Sequence, residues 1–183
     1  MNRIHQAIVF ATERHAGQLR KGTELPYIVH PMEVMTILSR ITDHAPLLMA
    51  GILHDTVEDT DTTIEEIAAL FGEETAQLVD AHTEKNHALG WKERRVASVA
   101  HLRTATRDVK LLIMADKLSN LRSIAHDYAI IGDRLWDRFC GNKSMQAWYY
   151  GLSVEALYSM ENDPDAAWAY EELKSLYLKT FQS

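Results

Sequence analysis

Within six positions the chain sets one imidazole and three carboxylates: His54, Asp55, Glu58 and Asp59, in the stretch Leu53-His54-Asp55-Thr56-Val57-Glu58-Asp59. These residue types can ligate a cation, move a proton, or do no more than solvate a helix end. An apolar run, Leu47 to Leu53, leads straight into them. On a continuous helix, side chains three or four apart share a face, which places His54 above Glu58 and Asp55 above Asp59. Burying that much charge without a partner is very costly. A divalent cation at the end of the apolar run, or a solvated helix terminus rich in acids, are the two readings the stretch allows.

Two other segments offer the same chemistry. His30 stands before Pro31, near a predicted helix start, where it reads as a rigidly held ligand, a cap or a surface histidine. Asp116, Asn120 and Ser123 are spaced by four and three, so they line one face of a predicted helix. Asp116 follows Met114-Ala115, where an unpaired acid is unwelcome; Lys117 and Arg122 flank it. His30, His54, Asp55 and Asp116 together make two imidazoles and two carboxylates, a set suited to Mn²⁺, Fe²⁺ or Mg²⁺. No thiolate accompanies them, which argues against a structural zinc site.

The elements that must position these residues all read as helices. Apolar residues recur at helical spacing, alternating runs are absent, and there are only four prolines and eight glycines, so an all-α fold is expected. The first helix is read from Ile4 to Leu19, and the second from Pro31 to about Ile41, with Gly22 and Pro26 between them. The third opens at Pro46 and ends in the His54-Asp55 stretch. Thr62 reads as a cap with Glu65 three on, a short helix stops at Gly72, and another runs from Glu73 to about Lys85. A loop spans Asn86 to Gly90. A basic-faced helix covers Trp91 to Ala105, and a helix from Val109 to Ala129 carries Asp116. Leu135 to Met160 reads as one aromatic-rich helix bent at Gly141 or Gly151, and a last helix runs from Asp163-Pro164 to Phe181.

The chain has 183 residues and is 46% hydrophobic, which suits one domain, 1–183, with a full core. Its formal charge of −7 argues against a nucleic-acid groove, and a phosphorylated ligand then needs a metal or a local basic cluster. The single cysteine, Cys140, excludes an internal disulfide and fits a reducing cytosol. The N-terminus carries no signal-like apolar segment, and no apolar run approaches the ~20 residues of a membrane span. A cytoplasmic protein is expected, with its oligomeric state left open, a homodimer included.

The blocks Arg20-Lys21-Gly22, Pro26 to Pro31, His54 to Asp59 and Ala115 to Arg122 together resemble the HD phosphohydrolase superfamily. They are closer still to the hydrolase domain of the Rel/SpoT alarmone enzymes and to the stand-alone small alarmone hydrolases of the Mesh1 type. The resemblance covers residues 1 to about 160. It implies an HD-domain bundle of about ten helices and one Mn²⁺ held by His30, His54, Asp55 and Asp116. It also implies removal of the 3′-pyrophosphate from (p)ppGpp or (p)ppApp by a chain expected only to degrade. Glu58 and Asp59 match the pair that activates water and orients the metal's hydration. Arg20 and Lys21 match residues near base and phosphates, and Asn120 a nucleoside contact.

Arg20, Lys21, Lys117, Arg122 and Lys143 can supply the positive set that a charged nucleotide needs, although each alone is more often a surface charge. Arg20, Lys21, Asn120 and one or more of Lys143, Trp148 and Tyr149 are expected to border the metal's cavity. The short Lys21–His30 loop and His82 depart from the family pattern and leave the purine open. Two rival readings stand beside this one. Another HD enzyme, of the 5′-nucleotidase or dNTP type, would share the metal site; a non-catalytic alarmone sensor would bind without turnover.

Overall fold

A computed structural model describes residues 2–85 and 88–182. Among these residues there are ten α-helices, two short 3-10 helices and no strand; one isolated bridge joins Leu19 and Pro26. The helices are α1 (Arg3–Arg14), α2 (Val29–Ser39), α3 (Ala45–Leu53), α4 (Thr56–Asp59), α5 (Ile64–Phe71), α6 (Glu73–His82), α7 (Trp91–Thr104), α8 (Arg107–Ile131), α9 (Lys143–Ala156) and α10 (Ala167–Phe181). The fold is an all-α bundle, as the helical periodicity implies.

Two helices form its centre. In α3 every residue from Leu47 to Leu53 is buried, so it is apolar all round and belongs inside rather than on a face. In α8 the stripe Leu111, Leu112, Met114, Ala115, Leu118 and Leu121 has no exposed surface. α8 packs against α2, α3, α6 and α10, which puts Asp116, carried on this stripe, among them. α2 lies against α3 closely enough that a Cβ on Gly51 would meet Leu38 Cδ1 at 2.7 Å and the Met35 backbone at 3.3 Å. This approach brings His30, in the first turn of α2, to the end of α3.

Several boundaries differ from the periodicity reading, each for a local reason. α1 stops at Arg14 instead of running to Leu19, because Gly17 takes φ +80°. α2 begins at Val29; Pro31 is tolerated because the first turn leaves its N–H groups unpaired anyway. The cap of α5 is Thr63, which accepts from Glu66 N at 3.2 Å, whereas Thr62 is buried and bonded to Thr60. The expected helix from Leu135 to Met160 is three pieces: a 3-10 turn over Gly132–Arg138, α9, and a 3-10 turn over Tyr158–Asn162. Gly141, at φ +107°, makes the break, and Asn142 caps α9 by accepting from Met145 N at 3.0 Å. Gly151 bends nothing; it makes room for Tyr177 Oη, 2.7 Å from where its Cβ would stand. Asp163 precedes α10 rather than starting it, accepting from Asp165 N and Ala166 N at 3.1 Å each. Of the expected Asn86–Gly90 loop, Asn86 and His87 lie outside the described residues.

Candidate metal centre

α3 ends at Leu53, and α4 begins at Thr56, so His54 and Asp55 occupy the turn between two helices. The continuous helix expected through Glu58 is therefore broken, although Asp59 N still bonds Asp55 O at 2.9 Å. Thr56 Oγ1 donates to Leu53 O at 2.7 Å and closes the turn. The result points His54 and Asp55 inward, at 0% and 8% exposure, while Glu58 and Asp59 stay exposed.

His30, from α2, and Asp116, from α8, meet them there. His30 Nε2 lies 3.2 Å from Asp116 Oδ1 and 3.5 Å from Asp55 Oδ2. His54 Nε2 lies 2.9 Å from Asp55 Oδ2 and 3.9 Å from Asp116 Oδ1. His30, His54 and Asp116 each offer a ligand atom within 4.8 Å of the others'. Asp55 adjoins that group, and Tyr27 Oη donates to its Oδ2 at 2.6 Å.

The second ring nitrogens fix what the first ones present. His54 Nδ1 is 2.9 Å from the Gly51 carbonyl, which can only accept, so Nδ1 carries a hydrogen. Its Nε2 is buried and, despite the nearby carboxylate, has no hydrogen-bond partner. Burial alone would lower the His54 pKa, but Asp55 beside it raises it to about 9. Burial would likewise raise Asp55 and Asp116, yet His54 holds Asp55 low, and Lys117 and His30 hold Asp116 well below the carboxylate range. The pocket thus demands positive charge opposite two ionised acids, and its donors, two imidazole Nε2 atoms and two carboxylates, fit a divalent ion.

Two cavities meet at this cluster, of about 360 Å³ and 530 Å³, and both are lined by His30, Lys117, Asn120 and Tyr149. The smaller contains Asp55, Glu58, His82 and Asp116. Glu58 accepts from the Glu84 backbone N–H; desolvation, with Asp55 and Asp59 nearby, raises its pKa. The larger contains Arg20, Lys21, Trp91 and Tyr150. Arg20 Nη2 reaches Asn120 Oδ1 at 3.2 Å and Ser123 Oγ at 3.4 Å. Asn120 in turn donates to Asp116 Oδ1 at 2.5 Å, and Lys117 Nζ lies 2.8 Å from Asp116 Oδ2.

Four expected site residues lie elsewhere among the described residues. Arg122 lines neither cavity; it pairs with Glu33 at 2.9 Å and Glu172 at 2.7 Å. Lys143 Nζ donates to Tyr128 Oη at 2.9 Å, and Trp148 packs 6.2 Å from Trp91. Neither lines a cavity, and nor does Asp59, whose charge bears instead on Asp55 and Tyr27. Conversely, His82 was legible only as an oddity of its segment. Its Nε2 is 3.6 Å from Asp116 Oδ2, and its ring centroid is 4.7 Å from that of His54. Arg94 and Arg95 line both cavities; the basic face of α7 was the signal for them.

Residues 7–138 match the HD domain family. The guanosine-3′,5′-bis(diphosphate) 3′-pyrophosphohydrolase MESH1 of Xenopus tropicalis is 44% identical over 125 residues, 66% of this chain and 69% of that protein. A crystal structure from Listeria monocytogenes EGD-e superposes with a TM-score of 0.77 at 35% identity, covering 84% of this chain and 99% of the other. A metazoan ortholog of SpoT, described as hydrolysing ppGpp, superposes with a TM-score of 0.78 at 28% identity, covering 98% and 96%.

Proposed function

This chain belongs to the HD-domain family, and from that membership we propose that it is a metal-dependent 3′-pyrophosphohydrolase of guanosine 3′,5′-bis(diphosphate). The observation that carries the reading is the buried meeting of two imidazole Nε2 atoms with two carboxylates where two cavities join. The names of the relatives supply the substrate. A divalent ion held by His30, His54, Asp55 and Asp116 would supply charge neutralisation of the phosphate and a lowered pKa for water.

The residues of the chain do the rest. The larger cavity takes the nucleoside, with Arg20 and Lys21 against its charge and Asn120 and Tyr149 along its wall. Tyr149 and Arg95 present planar groups for a purine. Lys117, half-buried between both cavities, faces the phosphates, and its pairing with Asp116 keeps its own pKa raised against the effect of desolvation. In the smaller cavity Glu58 takes a proton from the attacking water. Water oxygen adds to phosphorus, the bond from phosphorus to the 3′ oxygen breaks, and that oxygen takes up a proton as pyrophosphate departs. The raised pKa of Glu58 brings it nearer the range where a carboxylate works as a base at neutrality. Asp59 acts at one remove, through Tyr27 and Asp55.

Mn²⁺ is our assignment for the ion, with Mg²⁺ and Fe²⁺ served by the same donors. Adenosine analogues belong to the substrate range we assign, and residues 1–183 act as one domain. No described helix is long and apolar enough to cross a membrane, and the lone cysteine supports a cytoplasmic setting. The test is pyrophosphate release from guanosine and adenosine 3′-diphosphate nucleotides by Mn²⁺-loaded protein. Release from the guanosine compound is expected, and none from either would overturn the reading.

A further inference from the structure

A line of hydrogen bonds runs from His30 to the last helix. His30 Nδ1 lies 2.9 Å from Ser119 Oγ, and Ser119 Oγ lies 2.8 Å from Glu33 Oε2. Glu33 Oε1 accepts from Arg122 Nη1 at 2.9 Å. Arg122 grips Glu172 of α10 with two prongs, Nε to Oε1 at 2.7 Å and Nη2 to Oε2 at 2.8 Å. His30 and Ser119 are buried, at 2% and 0% exposure.

The direction of each bond follows from proton counting. The Glu33 carboxylate only accepts, so the single Ser119 hydroxyl hydrogen goes to it. Ser119 Oγ must then accept from His30, which places the imidazole hydrogen on Nδ1 and leaves the Nε2 lone pair facing Asp116 and Asp55. We infer that Ser119 and Glu33, with Arg122 and Glu172 behind them, are positioning residues that set the metal affinity of His30. Without the line, the ring is free to turn about its last torsion or to carry its hydrogen on Nε2, and either change removes a ligand. Outer partners of this kind hold a ligating imidazole in one tautomer and orientation. Arg122 and Glu172 keep the Glu33 carboxylate aimed inward, so α10, far along the chain, bears on the metal centre.

The inference rests on the proposed metal centre, and the test separates the two. Mn²⁺ binding is titrated by the paramagnetic resonance signal of the free ion, with no nucleotide present, in the parent, His30→Ala, Ser119→Ala and Glu172→Gln proteins. Ser119→Ala is expected to weaken Mn²⁺ binding about 10–100-fold, the usual worth of an outer-shell partner. Glu172→Gln keeps its shape and loses its charge, and a smaller loss in the same direction is expected. A role confined to stability would lower the melting temperature and leave the Mn²⁺ affinity untouched; that result overturns the inference. If Ser119→Ala does not fold, Glu33→Gln carries the same test with the same two outcomes. His30→Ala with parent-like affinity brings down the metal-centre reading and the relay together. Weakened binding in His30→Ala, beside unchanged binding in Ser119→Ala, overturns the relay alone.

Discussion

Tyr27 and Asp55 share a 2.6 Å hydrogen bond, made to the same Oδ2 that stands 2.9 Å from His54 Nε2. Tyr27 comes from the segment before α2, and Asp55 from the turn after α3, so the bond ties together the pieces of chain that carry His30 and His54-Asp55. Burial and the Asp55 charge both push the Tyr27 pKa up, so its hydroxyl remains a donor across the working range. Tyr27→Phe keeps the ring and deletes the bond. Mn²⁺ affinity, read by calorimetric titration, should fall about 10-fold or more, and the protein should stay folded. Parent-like affinity would show that Asp55 needs no help from Tyr27.

Glu58 stands in the smaller cavity but outside the ligand cluster, which separates chemistry from binding. Glu58→Gln keeps size and hydrogen bonding and loses the base. Turnover should drop about 10²–10⁴-fold, while Mn²⁺ content and nucleotide affinity stay near those of the parent. Asp55→Asn, by contrast, should lose metal and activity together. Near-normal turnover of fully loaded Glu58→Gln would return Glu58 to the role of a solvated helix residue.

The helices that position the cluster were readable because burial and spacing coincide there: α3 is apolar throughout, and the α8 stripe repeats every three or four residues. The break at His54-Asp55 was not, since both residues keep right-handed helical torsions and carry no Gly or Pro to mark it. Arg122, expected in the positive set as a flank of Asp116, lines neither cavity. Six residues beyond Asp116, at about 100° each, it points roughly 240° round the helix, away from the cluster. Its true partners, Glu33 and Glu172, come from α2 and α10, and no local pattern announces them. His82 was visible as unusual, but only the closing of α6 onto α8 brings it to Asp116.

Metal should also act on the fold. The donors exist as a set only in the folded chain, so an ion that binds there stabilises it by mass action, about 2.7 kcal/mol at a hundred times its dissociation constant. Melting temperature should rise with added Mn²⁺ and return on chelation. The rise should vanish in Asp116→Asn, whose ligand charge is gone. A rise that persists in that variant would place the stabilising ion elsewhere.

Arg107 and Asp163 give a pH dependence that is independent of the metal. Arg107 Nε donates to Asp163 Oδ2 at 2.6 Å, and this pairing, against some desolvation, lowers the Asp163 pKa below its ordinary 3.8. A depressed carboxylate contributes stability above its unfolded pKa and loses it as pH falls through the folded value. Asp163→Asn retains the bonds to the start of α10 but not the charge. The urea midpoint of the parent should exceed that of Asp163→Asn by a constant amount above about pH 5. The gap should narrow below the ordinary 3.8. A gap unchanged down to acid pH would mean that the pair contributes no charge term.

Nucleotide recognition separates Arg20 from Lys143. Both belong to the positive set expected from the sequence, yet Arg20 lines the larger cavity and bonds Asn120, while Lys143, at the start of α9, is spent on Tyr128 of α8, 2.9 Å away. A hydrogen bond to a charged group contributes about 1.5–3 kcal/mol, which is a tenfold change in affinity or more. Arg20→Ala should therefore raise KM for the guanosine 3′-diphosphate substrate about tenfold or more, with a smaller effect on kcat, because uniform binding is what it removes. Lys143→Ala should leave KM within about twofold, since its ammonium lines neither cavity and is already engaged by Tyr128. Steady-state kinetics at saturating Mn²⁺ decide it. If Lys143→Ala raises KM and Arg20→Ala does not, the nucleotide lies across α9 and the larger cavity is not its site.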